Sequence, residues 1–324
     1  MSSGVGSSRG WVVSAPSMSS LSAAYHELQT RGGLADLSAR VELILTGADR
    51  VRYLNGQVTS NVQKLAANHT QPACVTTAKG RLCAEVLITA TADALFIDAD
   101  AALRDTLPAR LERYIIADDV TLADTTDTRA LLHFIGPPPP ALGDAWCAQS
   151  RRFGREGWDV RLPSAAFAAM KTALFSQHLL LDDTLLETLR IEAGIPRWGR
   201  DIGEDTLPPE AGLDRTHIDY HKGCYIGQEV ISRLKSVGHV NRQLTGFVAE
   251  DGAPLTASAA IFAPGEARAI GIITSAAFSF ALDKPIALGY LRRGSATGGL
   301  LARPAAATGA ETRLAVHPLP FVSP

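Results

Sequence analysis

One stretch, His221-Lys222-Gly223-Cys224-Tyr225-Ile226-Gly227-Gln228-Glu229, sets a single thiol between two basic side chains and two glycines. The residues that follow, Val230 to Leu234, have the pattern of an amphipathic helix. If that helix starts near Gly227 or Gln228, Cys224 lies just ahead of an N-terminus, where free N–H groups and the dipole favour negative charge. Lys222 and a protonated His221 would strengthen that field, and such settings lower a cysteine pKa from its usual value near 8.5. The chemistry predicted is that of a reactive thiolate. The plain alternative is a small residue filling a tight loop. Gly223 and Gly227 would give the loop wide φ freedom and let a ligand approach its backbone.

A second candidate is Glu192. Thr184 and Glu187 fit a capping box, Leu185, Leu186, Leu189 and Ala193 form an apolar face, and Gly194 followed by Pro196 ends the helix. Glu192 then points toward the apolar seam and sits in the last turn, where the dipole disfavours a negative charge. Two unfavourable features ask for a compensating partner. It is either an arginine, Arg190 or Arg197, or a ligand that offers two parallel donors, as a pterin ring does.

The chain that must position these residues has 324 of them, 46% hydrophobic and 20% charged, which suggests a globular protein of two or three domains. A net charge of −2 and pI near 6.4 offer no whole-molecule attraction to nucleic acid or to an anionic membrane surface. No run reaches the roughly 18 apolar residues of a membrane span. Residues 1–20, rich in Ser and Gly, read as a disordered tail and not a signal peptide. The four cysteines at 74, 83, 147 and 224 form no CxxC pair, so neither a zinc site nor a disulfide framework is expected, and a reducing cytoplasm is the expected compartment.

Strands are predicted over 41–47, 119–124, 130–136 and 155–163, with a three-strand meander over 74–98 turning near 79–80 and 92–93. Helices are predicted over 49–56, closed by Gly56, over 165–177, and after Asp100, with Pro108 kinking or restarting the last. Pro137 to Pro140 form a stiff spacer, read as a subdomain boundary or equally as a long surface turn. Beyond residue 242 short strands separated by Gly, Pro and Asp predict a small antiparallel barrel. The expected organisation is an α+β region over 21–241 and a β-barrel over 242–324.

Three runs carry a resemblance: RIEAGIPRWGRDI (190–202), LPPEAGL (207–213) and HKGCYIGQEVISRL (221–234), supported by GQVTSNV (56–62). They look like the signature of the YgfZ-type folate-binding proteins, in the superfamily of the glycine-cleavage T-protein, an aminomethyltransferase. The resemblance implies two ferredoxin-like α+β units and a C-terminal antiparallel β-barrel, arranged as a three-part ring that admits tetrahydrofolate. It implies that Glu192 holds the pterin, with Asn61, Arg190, Tyr225 and Gln228 as further folate-binding residues. Cys224 and Lys222 would be the reactive pair. It also implies partners among iron–sulfur enzymes or their assembly proteins, in a folate-binding factor for cluster assembly or repair.

One departure bears on activity. T-proteins carry paired aspartates where this sequence has Lys79-Gly80-Arg81-Leu82-Cys83-Ala84-Glu85, so the expectation is that Ala84 removes a polar group that aminomethyl transfer needs. The rival reading is a folate-dependent aminomethyltransferase, and a third is a folate-free relic with only an interaction role. No phosphate loop, dinucleotide fingerprint or HExxH motif is present.

Overall fold

Alternating apolar residues on either side of short polar turns build most of this chain, and the computed structural model describes it over residues 17–236, 238–304 and 310–322. Residues 1–16 of the expected tail lie outside that range. Ser17 caps helix α1 (Met18–Arg31), accepting from the Ser20 N–H at 3.2 Å, so residues 18–20 are helical, not tail.

After β1 (Gly33–Asp36), the chain runs through β2 (Val41–Thr46), α2 (Arg50–Gln57), β3 (Thr70–Thr76), β4 (Leu82–Ala90), β5 (Leu95–Ala99), α3 (Thr106–Glu112) and β6 (Thr121–Asp124). Strands β2 to β6 form an antiparallel sheet in the order β3-β4-β5-β2-β6. The meander and its turns stand where the alternation predicts. Two local expectations do not hold. Gly56 lies inside α2, which closes at Val58, and Asp100 caps only a short helical turn before α3 restarts at Thr106.

Next come β7 (Arg129–Ile135), β8 (Trp146–Arg152), β9 (Arg155–Pro163), α4 (Ser164–Gln177) and α5 (Asp183–Glu192). Strands β7 to β9 join β1 in the order β1-β7-β9-β8. Pro137 to Pro140 therefore connect strands of one sheet and do not divide two subdomains. After α6 (Gln228–Ser236), strands β10 (Arg242–Ala249), β11 (Ala260–Phe262), β12 (Gly271–Ser279), β13 (Lys284–Arg292), β14 (Leu300–Arg303) and β15 (Thr312–His317) close an antiparallel barrel, sealed where β15 pairs with β10. The fold is thus two antiparallel α+β units followed by a six-stranded barrel.

The two α+β units are stitched together by buried charge. From the first sheet come Glu42 and Asp98, from the second Arg152, Asp159, Arg161 and His133. Arg152 makes paired bonds to Asp98 (3.1 and 2.7 Å) and to Asp159 (2.8 and 2.7 Å). Arg161 reaches Glu42 at 2.8 Å and Asp98 at 3.3 Å, Arg40 holds Asp98 at 2.6 Å, and His133 Nδ1 lies 2.8 Å from Asp159. Burial alone would raise the Asp98 and Asp159 pKa values, but the facing guanidinium of Arg152 overrides it and holds both below the unfolded value of 3.8.

Removing one member leaves uncompensated buried charge, so Arg152→Met is expected to lower the unfolding free energy by about 3–5 kcal/mol in urea titrations. The folded pKa values of Asp98 and Asp159 are depressed. Their stabilising contribution is therefore complete above pH 3.8 and lost as pH falls through the folded values, so wild-type stability should drop in the acid limb. Arg152→Met should flatten that limb.

Candidate functional site

Helix α5 begins at Asp182, whose carboxylate accepts from the Leu185 N–H at 2.8 Å, and not at the expected Thr184–Glu187 capping box. Glu187 pairs instead with Arg190 and Arg197. The helix ends as predicted. Gly194 takes φ +68°, its N–H reaches the Ile191 carbonyl at 2.9 Å, and the Ile195 N–H reaches that of Arg190 at 2.8 Å, which is a Schellman motif.

This termination places Glu192 in the wall of a cavity of about 630 Å³, together with Tyr25, Phe153, Arg155 and Ala281. Its partner is not an arginine. The Tyr25 hydroxyl donates to Oε2 at 2.9 Å, and Oε1 accepts from the Ser279 hydroxyl at 2.6 Å and, more distantly, from the Ala281 N–H at 3.5 Å. A carboxylate has about four acceptor positions. The two hydroxyls fill one on each oxygen and the Ala281 contact stands at the outer limit of a hydrogen bond, so Oε2 keeps one position free and Oε1 one that is only weakly used. Burial, and next the adjacent Glu192 charge, raise the Tyr25 pKa, so its proton stays available to donate.

Arg190 is not at this cavity. Its guanidinium donates to Glu187, to Asp201 at 2.6 Å, to the Ser275 hydroxyl at 2.6 Å and to the Ile195 carbonyl at 3.2 Å, which uses its donors in a buried clamp between α5 and β12. It is corrected from folate ligand to structural residue.

Five further candidates gather elsewhere, around the end of α2. Lys222 is buried, and its Nζ donates to the carbonyls of Asn55 (2.5 Å), Val58 (2.7 Å) and Ser60 (2.7 Å). Burial pushes its pKa down to about 8, while three carbonyl acceptors favour the ammonium form. Its charge is thus engaged with the backbone of the α2 exit. Lys222 thus has an anchoring role in addition to the one expected for it beside Cys224. Asn61 caps the next short turn, accepting from the Gln63 N–H at 3.1 Å. Tyr225 is buried, with its ring centroid 5.2 Å from Lys222 Nζ and its hydroxyl unpartnered among the described residues. Gln228 opens α6 as predicted, with its N–H on the Tyr225 carbonyl at 3.2 Å. Gly227, at φ +89°, passes so close to the β3–β4 turn that a Cβ would stand 2.5 Å from the Thr77 carbonyl oxygen.

Cys224 is exposed four residues before the start of α6 and is a free thiol. Cys74 is fully buried and Cys83 and Cys147 partly so, and burial raises the pKa of all three. None of residues 221–229 lines the Glu192 cavity, so the structure does not bring thiol and carboxylate into one pocket.

The Ala84-Glu85 pair also reads differently in three dimensions. Strand alternation sends Ala84 into the hydrophobic core, while Glu85 faces the polar side, 3.3 Å from His217 Nε2. Burial alone would raise the Glu85 pKa, but the His217 hydrogen bond and charge lower it. Ala84 therefore does not itself remove a carboxylate from the polar face.

Tyr25, Ser279 and Phe153 were not found from the sequence as neighbours of Glu192. They lie far from it along the chain, and only a two-residue reversal at Phe153-Gly154 left any local trace.

Residues 10–152 match the GCVT N-terminal domain, and residues 242–322 match the Glycine cleavage T-protein C-terminal barrel domain. The first match falls on the α+β region and the second on the barrel. The aminomethyltransferase of Rubrobacter xylanophilus is 26% identical over 296 residues, 84% of this chain and 79% of that protein. The mitochondrial aminomethyltransferase of Solanum tuberosum is 27% identical over 303 residues, covering 83% and 74% respectively. The solved structure of the glycine cleavage system aminomethyltransferase T from Bartonella henselae superposes with a TM-score of 0.82 at 21% identity, over 94% of this chain and 90% of that one, and that likeness shows the fold.

Iodoacetamide should modify Cys224 before the other three cysteines, as mapped by peptide mass spectrometry. Lys222→Met, which leaves three carbonyls without their donor, should cost roughly 2–4 kcal/mol of stability in denaturant titrations.

Proposed function

We propose that the protein binds tetrahydrofolate in the 630 Å³ cavity through Glu192 and serves iron–sulfur cluster assembly or repair, in a reducing compartment, with Cys224 as its working thiol. The observation that carries the folate part is Glu192 itself: a buried carboxylate at a helix end, held by two hydroxyl donors, with acceptor capacity left, in a residue that lines a cavity. The cavity volume is in the usual range for small-molecule sites. A bound tetrahydrofolate would supply one-carbon chemistry at its ring nitrogens. The protein's own contribution is to orient the pterin edge, with Tyr25 and Ser279 fixing the carboxylate.

The iron–sulfur part rests on the resemblance of the Lys222-Gly223-Cys224 run and on the exposure of the thiol it carries. Partners are then iron–sulfur client enzymes or assembly proteins, and nucleic acid is not among them. A second reading, a folate-dependent aminomethyltransferase, is favoured by Glu85, which keeps a carboxylate on the polar face of β4, and by the relatives' names. The tie between Glu85 and His217 counts against it.

Glu192→Gln should weaken tetrahydrofolate binding by roughly 1.5–3 kcal/mol in calorimetry while the protein stays folded; unchanged affinity would remove Glu192 from the site. Cys224→Ala should keep its melting temperature and folate affinity yet fail to restore iron–sulfur enzyme activity in cells lacking the protein. Mixed with competent glycine-cleavage subunits, the wild type should form little methylene-tetrahydrofolate. Robust turnover there would move the assignment to the transferase.

A further inference from the structure

The β8–β9 hairpin reverses through two residues only, Phe153 and Gly154, at φ of +54° and +74°. Positive φ at both positions marks a type I′ turn, whose preferred residues are Asn followed by Gly. Gly154 obeys that preference and has a second reason for being glycine: a Cβ there would stand 2.6 Å from the Cβ of Ala193. Phe153 breaks it. A bulky aromatic residue in the left-handed region is strained, and such outliers concentrate where a site requires them.

The surroundings of the ring indicate what that requirement is. The turn is pressed against Ala193, the residue after Glu192, and Phe153 and Glu192 line the same cavity. Phe153 is half-buried. It packs partly against the apolar cluster of α1 and α5, has the His133 ring 6.1 Å away at 60°, and also lines the 630 Å³ cavity. An aromatic side chain lining the same cavity as a carboxylate with acceptor capacity left fits a planar heteroaromatic ring whose edge bears a donor pair. The carboxylate reads the edge and the phenyl ring covers the face.

We propose that Phe153 is the stacking platform for the pterin ring, held at the cavity wall by a strained hairpin turn docked on the end of α5. This rests on the reading of the cavity as a folate site and adds the residue that selects for a planar ring. The geometry divides recognition between two elements, the helix end for the donor pair and the hairpin tip for the aromatic face.

The test compares wild type with Phe153→Leu, Phe153→Tyr and Phe153→Asn, titrating each with tetrahydrofolate and with 6-methyltetrahydropterin, which lacks the glutamate tail. Phe153→Leu keeps the apolar side chain and the backbone demand, so its melting temperature should stay within about 4 °C of wild type. Both ligands should nevertheless bind roughly 3- to 10-fold more weakly. Phe153→Tyr keeps the ring and should retain affinity within about twofold. Phe153→Asn suits the turn, so it keeps the hairpin and carries the test if Phe153→Leu does not fold; it should lose affinity at least as far. Equal affinity of wild type and Phe153→Leu, or of wild type and Phe153→Asn, overturns the proposal, as does an equal loss in the Tyr and Leu variants. Failure of wild type to bind either ligand would sink the folate reading of the cavity itself and this platform with it.

Discussion

The last turn of α5 is where the parts of this chain are tied together, and the tie is made by one residue whose carboxylate and carbonyl both act. The Glu192 carboxylate accepts from Tyr25 on α1 and from Ser279 at the end of β12, while its carbonyl accepts from the Phe321 N–H at 2.8 Å near the end of the described chain. The neighbouring Ala193 bears the tip of the β8–β9 hairpin. An acid at a helix C-terminus works against the dipole, and here hydroxyl donors from two other parts of the fold offset it. The cavity wall is built from the same contacts, so the architecture and the candidate site share one cause.

A second constraint is the charge buried between the two α+β units. Packing two sheets through Arg152, Arg161, Asp98, Asp159 and Glu42 is costly in desolvation and is tolerated because the guanidinium groups meet carboxylates at hydrogen-bond distance. Some atoms make no hydrogen bond among the described residues: Glu42 Oε1 and Arg161 Nη1 have only longer ion-pair contacts, to Arg129 at 3.6 Å and Asp159 at 3.9 Å, and His133 Nε2 has none. Charge pairing of this kind fixes relative placement more sharply than apolar contact does, because a small slip strands an ion. Phe153 follows immediately after Arg152, so the network also anchors the base of the hairpin that reaches the cavity.

The loop around Cys224 is held by a different device. Lys222 gathers three carbonyls at the exit of α2, Gly227 lets the chain pass the β3–β4 turn, and the intervening thiol is left in solvent. Lys222, expected as an activator of the thiol, acts as its scaffold. The exposed thiol stands on an anchored loop that takes no part in the lining of the Glu192 cavity.

Periodicity in the sequence was sufficient for the meander of β3 to β5, for α4, α5 and α6, and for the barrel, because those elements depend on which face each residue presents. Gly194 and Gly227 were readable for the same local reason: each needs a backbone conformation that other residues resist. The awkward position of Glu192 was visible too, since a helix end and an acid are both local facts. What satisfied it was not, because Tyr25 and Ser279 lie 167 and 87 positions away along the chain. The same distance hid the role of Lys222, whose three carbonyl partners come from the exit of α2, and the Ser275 contact of Arg190, whose other partners are local. Ala84 and Glu85 show the limit most plainly. Adjacent residues on a strand face opposite sides, and only the packed sheet decided which side was core and which was polar.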